Sequence, residues 1–244
     1  MKIIVIALLG LLSSFHYSSG PEPAIRGVKV IWSLGGAVLE GPGDTLLTPV
    51  NVSDSLYIFY VEDRVVYKLP YYQLMGNRDG KISGETRYHY FTYLKDETYG
   101  LFFDSLQAST SKRLNVDSLL KLKGLNISSI GLKKYRLVET ERLPDENLTI
   151  DKYCSLITNE INYADSALLY YTNALKNIDF SISDSLDRVK EQKLSKIRLV
   201  FNSQVYKGSP HKLPRREVFV AIEGISLSMA TETDIRGFLA RTEL

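Results

Sequence analysis

The segment Gly76-Asn77-Arg78-Asp79-Gly80-Lys81-Ile82-Ser83-Gly84-Glu85 spaces its oxygen-bearing side chains much as a calcium loop of the EF-hand type does. Asn77, Asp79, Gly80, Ile82 and Ser83 would stand at loop positions 3, 5, 6, 8 and 9. The ends do not fit. Met75, at position 1, brings no oxygen, and Thr86 stands at position 12, where a bidentate carboxylate is needed. Asp79-Gly80 lies between β-prone runs, and this dipeptide tolerates the positive φ of a tight turn, so the segment is read as a β-hairpin connection. No metal and no cofactor is expected.

The other reactive side chains are sparse. Histidine occurs at 16, 89 and 211 only, too few for a three-ligand zinc site without carboxylates that no spacing singles out. His89 belongs to a strand-like run in which Arg87, His89, Phe91 and Tyr93 share one face and Tyr88, Tyr90 and Thr92 the other. It is read as a half-buried strand histidine rather than a general base. The single cysteine, Cys154, has no Cys-His signature around it and cannot form an intramolecular disulfide. A Gly-x-Ser-x-Gly elbow, a phosphate loop and a dinucleotide fingerprint are all missing. No catalytic residue is assigned. The competing class, a cell-envelope hydrolase using paired carboxylates, has Glu85, Asp96, Glu97 and Asp104 as its clustered acids.

Two features favour binding over catalysis. Sixteen tyrosines are present, densest at Tyr57, Tyr60, Tyr67, Tyr71, Tyr72, Tyr88, Tyr90, Tyr93 and Tyr99. Their rings can stack on sugars or peptides while their hydroxyls form hydrogen bonds; they also suit ordinary cross-strand packing. From Arg188 to Arg216, nine Lys or Arg face a single acid, Glu191. Such a run suits an anionic glycan, a lipid headgroup or an envelope protein. No recognition motif points to nucleic acid. The binding residues assigned are Tyr88, Tyr90, Tyr93, Lys193, Lys196, Arg198, Arg215 and Arg216.

The elements that would position these groups follow from periodicity. Lys2 precedes an apolar run, Ile3–Leu12, followed by small polar residues. That is the three-part shape of a secretory signal, and the run is too short to cross a bilayer of roughly 30 Å. Residues 1–20 are therefore read as a signal peptide. Residues 21–244 are read as one α+β domain, with a candidate internal boundary near 144–150, in the periplasm, at the cell surface or outside the cell. Asn51, Asn126 and Asn147 stand in Asn-x-Ser/Thr triplets that a eukaryotic host would glycosylate.

Strand-like segments fill the first half: Val28–Leu34, Leu56–Val61, Val65–Leu69, Thr86–Leu94, Tyr99–Phe103 and Leu132–Leu143, with a short helix over Val116–Leu122. Beyond them Ile157, Ile161, Ala164, Leu168, Tyr171, Leu175 and Ile178 repeat at intervals of four and three, which predicts a helix from about 151 to 178. A second helix is predicted after Ser183, with Leu186, Val189, Ile197, Val200 and Phe201 on one face. The two would form an antiparallel pair, and the first offers a coiled-coil route to a homodimer. A C-terminal β-hairpin is predicted over 217–229, turning at Glu223-Gly224, and a short helix from about Thr231.

The chain carries 244 residues, 44% of them apolar, with a formal net charge of +2. That composition excludes a disordered tail and a multi-span membrane protein, and the length is enough for a self-supporting core.

Overall fold

The computed structural model describes residues 23–39, 47–76, 82–122, 132–157, 163–205 and 212–242. Residues 1–20, read above as a signal peptide, Asp79-Gly80 with its calcium-like spacing, His211 and Asn126 lie outside these residues. Thirteen strands are present among those described: β1 (Arg26–Leu39), β2 (Leu47–Val61), β3 (Arg64–Gly76), β4 (Ile82–Leu94), β5 (Tyr99–Phe103), β6 (Lys112–Asn115), β7 (Tyr135–Leu143), β8 (Leu148–Ser155), β9 (Ser166–Thr172), β10 (Lys193–Phe201), β11 (Gln204–Val205), β12 (Lys212–Leu213) and β13 (Arg216–Ile225). Three α-helices accompany them: α1 (Val116–Leu122), α2 (Asp184–Lys190) and α3 (Met229–Arg241).

Eleven of the strands form one antiparallel sheet in the order β6-β5-β4-β3-β2-β1-β13-β10-β9-β8-β7, while β11 and β12 pair separately. Strands β1 to β6 are one meander and β7 to β10 a second. Within the sheet the two meanders are joined through β13, which pairs with β1 from Gly27 opposite Ile225 to Leu34 opposite Val218, and with β10 from Lys196 opposite Ala221 to Phe201 opposite Arg216.

The expected first half is largely present. Strands β2 and β3 form the anticipated hairpin, with Val61 opposite Arg64, so the connection is two residues rather than three. Glu62 there takes the positive φ of 55° that such a turn requires. β5 and α1 have the expected limits. β3 and β4 pair along their full length, from Arg64 opposite Leu94 to Gly76 opposite Ile82.

The second half corrects the α+β expectation: the protein is mostly antiparallel β. Residues 151–155 and 166–172, expected within a long helix, belong to β8 and β9, and residues 193–201, expected as the end of a second helix, are β10. Among the described residues of the helix pair, Asp184–Lys190 alone is helical. The reason lies in burial on both faces. Ala167, Leu169 and Tyr171 are fully buried on one side of β9, while Leu168 and Tyr170 are half-buried on the other, so the two-residue alternation is hidden. In β10 a register shift between Leu194 and Lys196 breaks the alternation again. The coiled-coil route to a homodimer loses its helix. Cys154 stands partly buried on β8. The C-terminal hairpin is also absent, because β13 runs straight through Glu223 and Gly224, which pair with Lys29 and Val28. α3 begins two residues before the expected start, with the Ser228 hydroxyl accepting from the Thr231 N–H.

Both faces of the first meander are covered. On one face Val28, Val30, Leu56, Ile58, Val65, Leu69 and Phe91 join α1 (Val116, Leu119) and residues of β9, β10 and β13 in one buried cluster. The chain between β9 and β10 also crosses this face, and buried Ile182 belongs to the same cluster. The opposite face carries α3, whose Ile235, Phe238 and Leu239 pack on Phe59, Val61, Val66, Tyr90 and Phe103. Phe238 meets the rings of Phe103 at 5.1 Å, edge-on, and Tyr90 at 5.6 Å. The Arg64 guanidinium donates to the carbonyls of Leu239 (3.2 Å) and Thr242 (2.7 Å), which ties the C-terminal end of α3 to β3.

Candidate functional site

A cleft of about 700 Å³ opens where the β9–β10 connection crosses the first meander. Its sheet wall comes from three neighbouring strands. Register sets Tyr60 opposite Val65 and Val65 opposite Tyr93, so these three stand abreast, and Tyr67 lies two residues further along β3 on the same face. Alternation turns them all towards the connection. Leu120 of α1, Lys95 and Asp96 of the β4–β5 turn, and residues 179–185 with Arg188 complete the lining.

The far wall is held by polar contacts. The main-chain N–H of Phe180 donates to the Tyr60 hydroxyl at 3.0 Å, and the Lys95 ammonium lies 2.5 Å from an Asp179 carboxylate oxygen. Ser181 donates to Asp187 at 2.7 Å and accepts from the Ser183 N–H at 3.0 Å. Asp187 in turn accepts from the Leu194 N–H at 2.7 Å and meets Lys193 at 3.1 Å, which ties the start of α2 to β10. Arg188 is exposed and donates through Nε to the Asp184 carbonyl at 3.3 Å.

Burial pushes the phenols of Tyr60, Tyr67 and Tyr93 above their ordinary range, and the Tyr67 and Tyr93 hydroxyls share a hydrogen bond in which either can donate. All three therefore remain protonated at neutral pH. The Tyr60 oxygen accepts one hydrogen bond, and neither its own proton nor the second proton of the Tyr67–Tyr93 pair is spent on another described residue. The cleft therefore offers two phenolic donors beside ring and aliphatic surface.

Of the residues assigned from sequence, Tyr93 lies in this cleft and Lys193 supports α2 behind it. The others are elsewhere. Tyr90 is buried against Phe238 on the opposite face, and Tyr88 lies 4.2 Å beneath the Lys68 ammonium. Lys196 sits over the rings of Tyr170 and Phe219, and Arg216 over Phe201. Arg198 grips Glu217 with two hydrogen bonds of 2.7 Å, and Arg215 reaches the same carboxylate at 2.8 Å. Among the described members of the basic run, Lys190, Lys193, Lys196, Arg198, Arg215 and Arg216 are engaged with their own neighbours. The run contributes Arg188 to the cleft.

The acids weighed for catalysis do not converge. Glu85 pairs with Arg87, and Asp104 lies 3.8 Å from His89, whose ring stacks on Tyr71 with centroids 4.0 Å apart. Only Asp96 reaches the cleft, where Asp179 and Asp184 join it. Asp96 and Asp184 both stand exposed at the rim, whereas a catalytic carboxylate pair works through contrasted environments. Among the described residues no group of three His, Cys, Asp or Glu is placed to hold a metal ion, and no helix is long and apolar enough to cross a membrane.

Sequence reasoning missed the far wall. Asp179-Phe180-Ser181-Ile182-Ser183 reads as a linker between helices, yet its alternation of polar and apolar residues is the trace of an extended segment lying on the sheet. No protein family, no curated protein and no solved structure matches the chain.

Proposed function

We propose that this is a non-catalytic binding protein of the periplasm, cell surface or extracellular space, and that the tyrosine-walled cleft takes a small ligand. The observation that carries this reading is the cleft itself: its volume falls within the roughly 300–1,000 Å³ usual for small-molecule sites, and the phenolic protons of Tyr60 and of the Tyr67–Tyr93 pair leave two without an acceptor among the described residues. The leader-like run Ile3–Leu12 supports export. The exposed rim acids, and tyrosines held protonated by burial, fit recognition better than proton transfer.

The test is saturation-transfer NMR of a small-molecule fragment library against the protein and against Ser185→Trp, which fills the cleft from its exposed rim. Fragments that bind the parent and lose contact with the variant, at equal thermal stability, are the expected result. A hit list identical in the two proteins would overturn the reading. For export, N-terminal sequencing of the native protein is expected to begin near residue 20, and an intact Met1 would refute it.

A further inference from the structure

Resting on that reading, we infer that the ligand of the cleft is an uncharged carbohydrate, recognised through its hydroxyls and the apolar faces of its rings. Charge is the first argument. The lining holds two cations, Lys95 and Arg188, and three carboxylates, Asp96, Asp179 and Asp184. Asp179 neutralises Lys95 at 2.5 Å, so Arg188 is left among two acids. An anionic ligand meets no surplus of positive charge. An ammonium ligand would compete with Lys95, which already occupies the favourable place between the Asp179 carboxylate and the face of Tyr60, 5.8 Å from its centroid.

The balance of hydrogen-bonding groups is the second argument. A sugar hydroxyl both donates and accepts, so a wall that suits it must do both. Tyr60 offers its phenolic proton, the Tyr67–Tyr93 pair offers the one its shared hydrogen bond leaves over, and Arg188 offers its terminal guanidinium nitrogens. Asp96 and Asp184 offer carboxylate oxygens that no described residue engages by hydrogen bond or ion pair. A purely apolar ligand would leave these groups desolvated without partners, at a cost for each. The C–H faces of a sugar ring would pack on the tyrosine rings, Val65 and Leu120, which supply the apolar part of the lining.

The experiment is a calorimetric titration of the full chain with cellobiose, N,N′-diacetylchitobiose, digalacturonate and dodecanoate, preceded by an array of neutral glycans that adds its strongest hit to the series. A neutral glycan is expected to bind, with digalacturonate at least about tenfold weaker. Tyr93→Phe and, separately, the surface variant Asp184→Asn should each weaken neutral-glycan binding about five- to tenfold, the worth of one lost hydrogen bond. Dodecanoate binding that Ser185→Trp abolishes, with no neutral glycan bound, would overturn the carbohydrate inference and leave the cleft reading intact. Digalacturonate binding as tightly as the neutral sugars would overturn it too. Glycan binding indifferent to Ser185→Trp and Tyr93→Phe, or no binding by any probe, would overturn both.

Discussion

Asp151 and Lys190 form an ion pair of 2.5 Å in which the carboxylate has no exposure to solvent and the lysine side chain keeps about a quarter of its own. The pair pins α2 to β8, behind the cleft wall. Thr140 on β7 donates to the other carboxylate oxygen at 2.7 Å, and the lysine ammonium also lies 5.5 Å from the centre of the buried Tyr171 ring. Removing Lys190 strands a charge with no access to water, whereas removing the aspartate leaves a cation that can still reach solvent. Lys190→Met should therefore cost more than Asp151→Asn, about 3–4 kcal/mol against about 2. Urea unfolding midpoints of the two variants check the order, and equal costs would refute it.

Alkaline pH should unfold the protein cooperatively. Burial pushes the Tyr90 phenol up to about 12 from its usual 10.0, and Tyr60, Tyr67 and Tyr171 are raised as well. Each folded-state value lies above the unfolded one, so the contribution is complete below pH 10 and is lost as pH rises, because the unfolded chain releases protons that the folded chain retains. Tyrosinate absorbance should appear in two steps, the second coinciding with loss of the β-sheet circular dichroism signal. Tyr90→Phe should make the fall in stability above pH 10 shallower by about one proton.

The Arg198 and Glu217 side chains make the opposite prediction on the acid side. Hydrogen bonds from the guanidinium hold the Glu217 carboxyl below its usual 4.5. Its contribution is present above that value and is lost as pH falls through the lower folded one. Glu217→Gln should cost about 1 kcal/mol at neutral pH, an ordinary worth for a half-exposed bidentate pair. The gap between variant and parent should close as pH falls below 4.5. A gap that persists in acid would mean the pair is not its source.

Close backbone packing sets a fourth expectation. At Gly100 on β5 a β-carbon would meet the Thr92 carbonyl oxygen at 2.5 Å and the Phe91 ring at 2.6 Å. Gly100→Ala should destabilise by about 2–3 kcal/mol, since neither neighbour can yield without disturbing β4. Guanidinium midpoints measure this, and a cost below about 0.5 kcal/mol would show that the strands separate more easily than their packing implies.

How far these features were legible in the chain differs between its halves. In the first meander turns fall at hydrophilic breaks such as Glu62-Asp63, and β-branched and aromatic residues mark the strands between them. In β9 and β10 both sides of the sheet are at least half-buried, so Leu168 and Tyr170 look like continuations of a helical stripe, and spacings of three and four arose from residues on strands and connections alike. The cleft was half visible. Tyrosine density marked the sheet wall, but Lys95 with Asp179, and Tyr60 with Phe180, are brought together only by the long-range path of the β9–β10 connection. No local period encodes such a meeting.

The placement of β13 bears on how the molecule comes into being. A strand from the end of the chain is the sole bridge between β1, near the beginning, and β10. Neither meander can complete its hydrogen-bonding edge until synthesis has passed Ile225. Assembly is thus deferred, and its rate is governed by the closure of a loop nearly as long as the polypeptide. Until that last strand arrives, β1 and β10 each keep one hydrogen-bonding edge unpaired.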